Sequence, residues 1–140
     1  MLYRLLRPDE DWQFGLRAIN PNSTKSVFDH VSSGSSRGWQ SQFISTCGSL
    51  NAVITFNRNI PNPTIVNIWE NNLPTETIDL RTAENRKNYF KVCPYLYELN
   101  LKFDNYAKKF EEMLLVRYVP ATHVELWTST SDFPSTPLLQ

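Results

Sequence analysis

Strand-like and helix-like segments do not alternate along this chain, and that order limits its fold more than any other feature. Leu2–Leu6 is a short apolar run closed by Arg7-Pro8 and reads as a strand entering a loop. Pro8-Asp9-Glu10-Asp11 has the chemistry of a helix first turn, with proline preset and acids near the positive end of the dipole, and Gly15 stops it. Val27, Phe28 and Val31 predict a short amphipathic helix capped by Thr24 or Ser26. Gln42–Cys47 is a second strand, and Leu50, Val53 and Ile54 predict a helix over Ser49–Phe56. Thr64–Trp69, Thr77–Leu80, Met113–Val119 and His123–Trp127 read as further strands, Thr82–Lys91 as a charged surface helix, and Pro94–Leu101 fits either type. Ser32–Gly38 and Asn57–Pro63 carry loop chemistry. Five to seven short strands, with helices concentrated in the first two-thirds, predict an α+β fold rather than a doubly wound parallel sheet.

The chain of 140 residues is expected to form a single domain over 1–127, with a Ser/Thr/Pro-rich tail over 128–140 expected to be poorly ordered. The formal net charge is zero, so the overall balance does not draw the chain to a nucleic acid backbone or an anionic membrane. No apolar run approaches the roughly 18–20 residues needed to span a bilayer, so no membrane partner is expected. The first eight residues are too short and too charged to read as a signal peptide. Cys47 and Cys93 are too few for a disulfide scaffold; one bridge between them stays open, and a reducing compartment would forbid it. His30 and His123 have no cysteine or paired carboxylate at zinc-like spacing, so no metal is expected.

Three fragments then stand out by their order. They are Leu2-Tyr3-Arg4, then Phe43-Ile44-Ser45-Thr46-Cys47, then Glu111-Glu112 ahead of a hydrophobic run ending Val119-Pro120. Around them lie Arg7-Pro8-Asp9-Glu10, Gly15-Leu16, Val27-Phe28-Asp29-His30 and Ser49-Leu50. In this combination the chain resembles the ADP-ribosyltransferases of the Arg / Ser-Thr-Ser / Glu class, most of all the group of the cholera toxin and heat-labile enterotoxin catalytic subunits. The likeness runs over about Leu2–Phe56 and Glu111–Val124, and the middle is only compatible. Glu112 takes the place of the catalytic glutamate because it lies eight residues before Pro120.

The resemblance implies a split β-sandwich of two small sheets with flanking helices, and it implies NAD as substrate. Glu112, Ser45 and Arg4 would be the catalytic residues. Breaking the nicotinamide–ribose bond builds positive charge on the ribose, and the Glu112 carboxylate would stabilise it, an effect commonly worth about 3 kcal/mol per well-aimed group. Arg4 would bind the pyrophosphate or ribose through its planar fork of donors. Ser45 would fix the rotamer of Glu112. Arg7, before Pro8, competes with Arg4 but reads as a loop residue. Ser45, Thr46, His30 and Phe56 join Arg4 as NAD-binding candidates. On a strand, Thr46 points away from Ser45 and reads as scaffold, and Cys47 returns to the face of Ser45 as a small filler. Phe56, Trp69 and Trp39 are alternatives for stacking on nicotinamide. Asn57–Pro63, with Arg58, occupies the region that covers nicotinamide in the family.

Two positions depart from the family pattern. Cys47 replaces a serine, and Phe110 stands two places before Glu112, where arginine-modifying members carry Glu. Phe110 can neither accept a proton nor orient a guanidinium, which disfavours arginine as the acceptor. Glu111, on a strand, would point to the opposite face. The segment also has a helical reading: Phe103, Tyr106, Ala107, Phe110 and Leu114 fall at helical spacing, and a helix from Asp104 to Leu115 would put Glu112 on its surface. In the family reading, Phe103, Tyr106, Lys108 and Lys109 would face solvent and select the target. The expected activity is mono-ADP-ribosylation of an unidentified protein or nucleic acid acceptor, as in a toxin or effector. The alternatives are NAD hydrolysis with water as acceptor, and an inactive interaction module.

Overall fold

The computed structural model describes residues 1–33, 40–56, 62–92 and 97–128. They form an α+β structure with a six-stranded antiparallel sheet, a separate two-stranded sheet and flanking helices. The strands are β1 (Leu2–Leu5), β2 (Leu16–Arg17), β3 (Phe43–Cys47), β4 (Ile65–Ile68), β5 (Thr77–Asp79), β6 (Glu112–Val116), β7 (Tyr118–Val119) and β8 (Val124–Leu126). The helices are α1 (Val27–Ser32), α2 (Leu50–Phe56), α3 (Ala83–Lys87) and α4 (Tyr97–Lys109). The large sheet runs β5-β6-β3-β1-β4-β8, and β2 pairs with β7 apart from it.

The register divides the large sheet. β3 and β6 match along five residue pairs, from Phe43↔Val116 to Cys47↔Glu112, and β1 and β4 match along four. β1 and β3, which join these halves, share the single pair Tyr3↔Cys47. The halves therefore meet at one point and part on the side of Arg4 and Ser45.

Alternation along the strands sorts the side chains into two layers. Leu2, Leu6, Ile44, Val66, Ile68, Met113 and Leu115 face the small sheet and pack with Leu16, Ala18 and Val119. On the other face, Phe43 and Leu114 pack with Val27, Phe28 and Val31 of α1 and with Phe103 and Ala107 of α4. Leu5, Cys47 and Ile65 pack with Ala52, Val53 and Ile54 of α2. The helical face thus carries two apolar clusters, with Ser45 and Glu112 in the strands between them.

Most expected elements form, with informative differences. Pro8–Asp11 does not open an α-helix: Asp11 caps only a 3-10 turn, Trp12–Phe14, which Gly15 ends at φ +83°. Ser26, not Thr24, caps α1 by accepting from the Asp29 amide. α3 is not wholly a surface helix, because Arg86 is buried and donates to Asp104 of α4 and to the carbonyls of Leu80 and Arg81. α4 begins at Tyr97, so Asp104 is mid-helix rather than a cap, and the helix ends before the glutamates. Glu112 accordingly opens a strand. The expectations for Trp39, Arg58, Cys93 and the tail from residue 129 lie outside the described residues. No helix among the described residues is long and apolar enough to cross a membrane.

Candidate active site

Arg4, Ser45 and Glu112, far apart in sequence, meet where the two halves of the sheet part. Arg4 lies one residue beyond the single β1–β3 pair. Its Nη1 donates to the Ser45 carbonyl at 2.8 Å, so the guanidinium satisfies an acceptor left by the diverging strands. Nε and Nη2 donate to the two carboxylate oxygens of Glu10 at 3.2 and 2.9 Å, a bidentate pair. Glu10 also accepts from the Arg7 amide at 2.8 Å, which folds the loop after β1 back onto the strand. Both side chains of the pair are buried.

Ser45 is the hub. Its hydroxyl stands 2.8 Å from His30 Nε2 and, on the same sheet face as Glu112, favours the ionised form of that carboxyl. Glu112 pairs with Cys47, two residues from Ser45, so both side chains lie on the helical face. His30 comes from α1, and its Nδ1 lies 2.6 Å from Ser41 Oγ. The Gln42 side chain places this helix: it donates to the Lys25 carbonyl and accepts from the Lys25 amide, pinning the approach to α1 against the start of β3. The His30 ring also rests edge-on against Phe43, centroids 5.4 Å apart.

Burial sets the charges. Desolvation raises the Glu112 carboxyl to about 8, although the Ser45 hydrogen bond and the Arg4 charge pull the other way. Desolvation, helped by Arg4, lowers His30 to about 4, so its imidazole is neutral near pH 7. The Cys47 thiol is pushed up by burial and by the charges of Glu112 and Glu111, which leaves it a neutral filler rather than a nucleophile. The site therefore holds one fixed cation, a neutral relay and a carboxyl that a nearby positive charge would ionise.

The other residues singled out from the sequence divide by position. Thr46, counted with the NAD-binding residues, is 1% exposed on the opposite layer and donates to the Met113 carbonyl at 2.7 Å, so it is scaffold. Phe56 is half-exposed at the end of α2, its ring edge-on to Phe110 with centroids 5.2 Å apart. Phe110 also lies beside Tyr106. Trp69 lies just past β4, where its indole donates to Glu125. Arg7 is a loop residue bonded to Asp9 and close to Glu10. His123 ends a 3-10 turn and bonds the Trp69 carbonyl rather than sitting within a strand.

Two placements correct expectations drawn from the sequence. Glu111 is not on a strand: it occupies a turn at φ +47°, and its carboxylate accepts from Ser49 Oγ at 2.6 Å. Phe103 is not a solvent-side recognition residue: it is fully buried, stacked on Phe28 at 5.4 Å. Tyr106, Lys108 and Lys109 are exposed, but on α4 rather than on a loop.

Sequence reasoning missed Glu10 and Ser41. Glu10 reads as a helix-start acid; the available signal was an opposite charge six residues from Arg4 across a proline turn. Ser41 has no sequence signal, since only the packing of α1 on β3 brings it to His30. A cleft of about 740 Å³ borders this region, lined by Arg7, Glu10, Phe14, Arg17 and Tyr118 among others. Ser45, His30 and Glu112 do not line it. No group of three or more potential metal ligands occurs among the described residues.

Compared with known proteins, the chain matches no family model, no curated protein and no solved structure.

Proposed function

We propose that this protein is an NAD-cleaving mono-ADP-ribosyltransferase of the Arg / Ser-Thr-Ser / Glu class. The observation that carries the reading is the convergence of Arg4, Ser45 and Glu112 at the parting of the two half-sheets. In this proposal the parting of the six-stranded sheet stands for the split of the β-sandwich that the resemblance implies. Arg4 has five N–H donors, three of them engaged by Glu10 and Ser45, which leaves two for a pyrophosphate or ribose oxygen.

The charge states fit the chemistry. NAD brings a positive nicotinamide ring, and the positive charge moves onto the ribose as the C–N bond breaks and nicotinamide leaves with the bonding electrons. A cation beside the buried Glu112 favours its ionised form, and that carboxylate then stabilises the developing charge. The acceptor attacks the ribose carbon and releases its proton. Phe110 packs among Phe56 and Tyr106, and Glu111 is bonded to Ser49, so neither offers a second carboxylate to an arginine acceptor. These same placements favour water as a second acceptor, which makes NAD hydrolysis the alternative activity.

Nicotinamide release from NAD tests the reading. Wild type is expected to release it and Glu112→Ala to lose the activity. Below pH 8, kcat/KM is expected to rise about tenfold per pH unit as Glu112 ionises, then level off. Release that needs added cell lysate indicates transfer, and release in buffer alone indicates hydrolysis. No release by wild type under either condition overturns the reading.

A further inference from the structure

The exposed side of α4 carries apolar and cationic side chains in register. Leu99, Lys102, Tyr106 and Lys109 follow one another at three- and four-residue spacing, so they form one stripe along the helix. The opposite side of α4 holds Phe103 and Ala107 in the core. The stripe continues onto Phe110, just past the helix, and onto Phe56 of α2, whose ring meets Phe110 edge-on at 5.2 Å. Leu99, Tyr106 and Phe56 are 41%, 37% and 41% exposed, a clustered apolar surface rather than single scattered side chains. Lys102 Nζ lies 5.6 Å from the centre of the Tyr106 ring, and Lys109 Nζ lies 5.3 Å from that of Phe110. Lys102 and Lys109, with Lys108 on the neighbouring row, make no ion pair among the described residues. The nearby carboxylates do not neutralise them: Asp104 is taken by Arg86, Glu111 is bonded to Ser49, and Glu98 lies one turn before Lys102 without pairing to it. The helix dipole accounts for lysines in the last turn, but not for Lys102 in mid-helix or for the exposed rings beside them.

We propose that this stripe is a docking surface for an acidic, aromatic-bearing segment of a partner protein. Carboxylates of the partner meet Lys102 and Lys109, whose positions over the rings leave their ammonium groups without a counter-charge. Apolar side chains of the partner cover Leu99, Tyr106 and Phe56, which removes the exposed cluster from water. The same arrangement disfavours a nucleic acid. Single strands bind by stacking bases on free ring faces, whereas here lysines already lie over Tyr106 and Phe110. A phosphate backbone would leave Leu99 uncovered, and the chain has no net positive charge to attract it. The surface is separate from Arg4, Ser45 and Glu112, and docking on it requires no NAD cleavage.

A random copolymer of glutamate and tyrosine is the probe, with polyglutamate and single-stranded oligothymidylate for comparison. Fluorescence anisotropy is expected to show saturable binding of the copolymer to the wild-type chain, tighter than either comparison polymer and weakened by salt. Lys102→Glu and Lys109→Glu are each expected to weaken it about tenfold. Leu99→Ser is expected to weaken the copolymer and to leave polyglutamate unmoved. Lys87→Glu makes the same charge change on α3, away from the stripe, and is expected to shift binding by about twofold or less. All four side chains are exposed, so circular dichroism is expected to show each variant folded. Absence of saturable copolymer binding overturns the proposal, as does binding that neither Lys102→Glu nor Lys109→Glu weakens. Tighter binding of oligothymidylate overturns it in favour of a nucleic acid site. Polyglutamate binding as tightly as the copolymer, or an equal loss in Lys87→Glu, overturns it in favour of charge attraction without a built surface.

Discussion

At the scale of single residues, Arg4 depends on its anchor. Its guanidinium is held between Glu10 and the Ser45 carbonyl, with little access to water. Glu10→Ala would strand a buried cation, and breaking such a pair by removing one partner costs about 3 kcal/mol. A urea unfolding curve is expected to show that loss, together with weaker NAD binding; an unchanged midpoint would count against the anchor role. Arg4 and Ser45 stood out because neighbouring motif residues agreed on them, although strand alternation puts Arg4 in phase with Leu2 and Leu6, on the face opposite Ser45. Glu112 was legible only as one of two readings, and burial at the start of β6 decided between strand and helix. Glu10 and Ser41 were not legible, because a side chain's partner depends on where the chain returns, and local sequence does not contain that.

At the scale of elements, the least tolerant points are those where backbone meets backbone. Gly15 sits at φ +83° with the Val119 carbonyl 2.4 Å from where a Cβ would lie. Gly15→Ala would strain the turn and push apart the approach between the 3-10 turn and β7. A destabilisation of about 2 kcal/mol or more is expected by thermal or chemical unfolding, beyond the ordinary cost of a left-handed alanine. Phe103 anchors α4: fully buried, it stacks on Phe28 and meets Phe90 edge-on at 6.0 Å. Phe103→Ala is expected to cost about 3–5 kcal/mol. Its helical spacing was visible in sequence, but the same pattern was compatible with a helix running through Glu112. α4 stops at a turn through Glu111, where Gly48 N–H, distant in sequence, donates to the Glu111 carbonyl at 2.8 Å and the chain is redirected into β6 beside β3.

At the scale of the whole molecule, the site leaves a signature in stability against pH. Between pH 4.5 and 8 the folded chain holds a proton on Glu112 that the unfolded chain has released, so stability falls as pH rises. Between pH 4 and 6.5 the unfolded chain holds a proton on His30 that the folded chain lacks, so stability rises. The two slopes offset up to pH 6.5. From 6.5 to 8 only Glu112 acts, and stability is expected to fall by up to about 1.4 kcal/mol per pH unit. Unfolding curves across that window check it: Glu112→Gln is expected to remove the fall, and a wild-type profile rising from 6.5 to 8 would contradict the buried, protonated carboxyl. By itself the sequence determined the α+β class, most strand and helix segments and the strand placement of Arg4 and Ser45, because period, capping and turn chemistry are local. Only the tertiary structure decided that β1 and β3 touch at one pair and then part, that α1 lays His30 across Ser45, and that Glu112 is buried beside them. Those outcomes depend on contacts between residues tens of positions apart, whose energies no local pattern records.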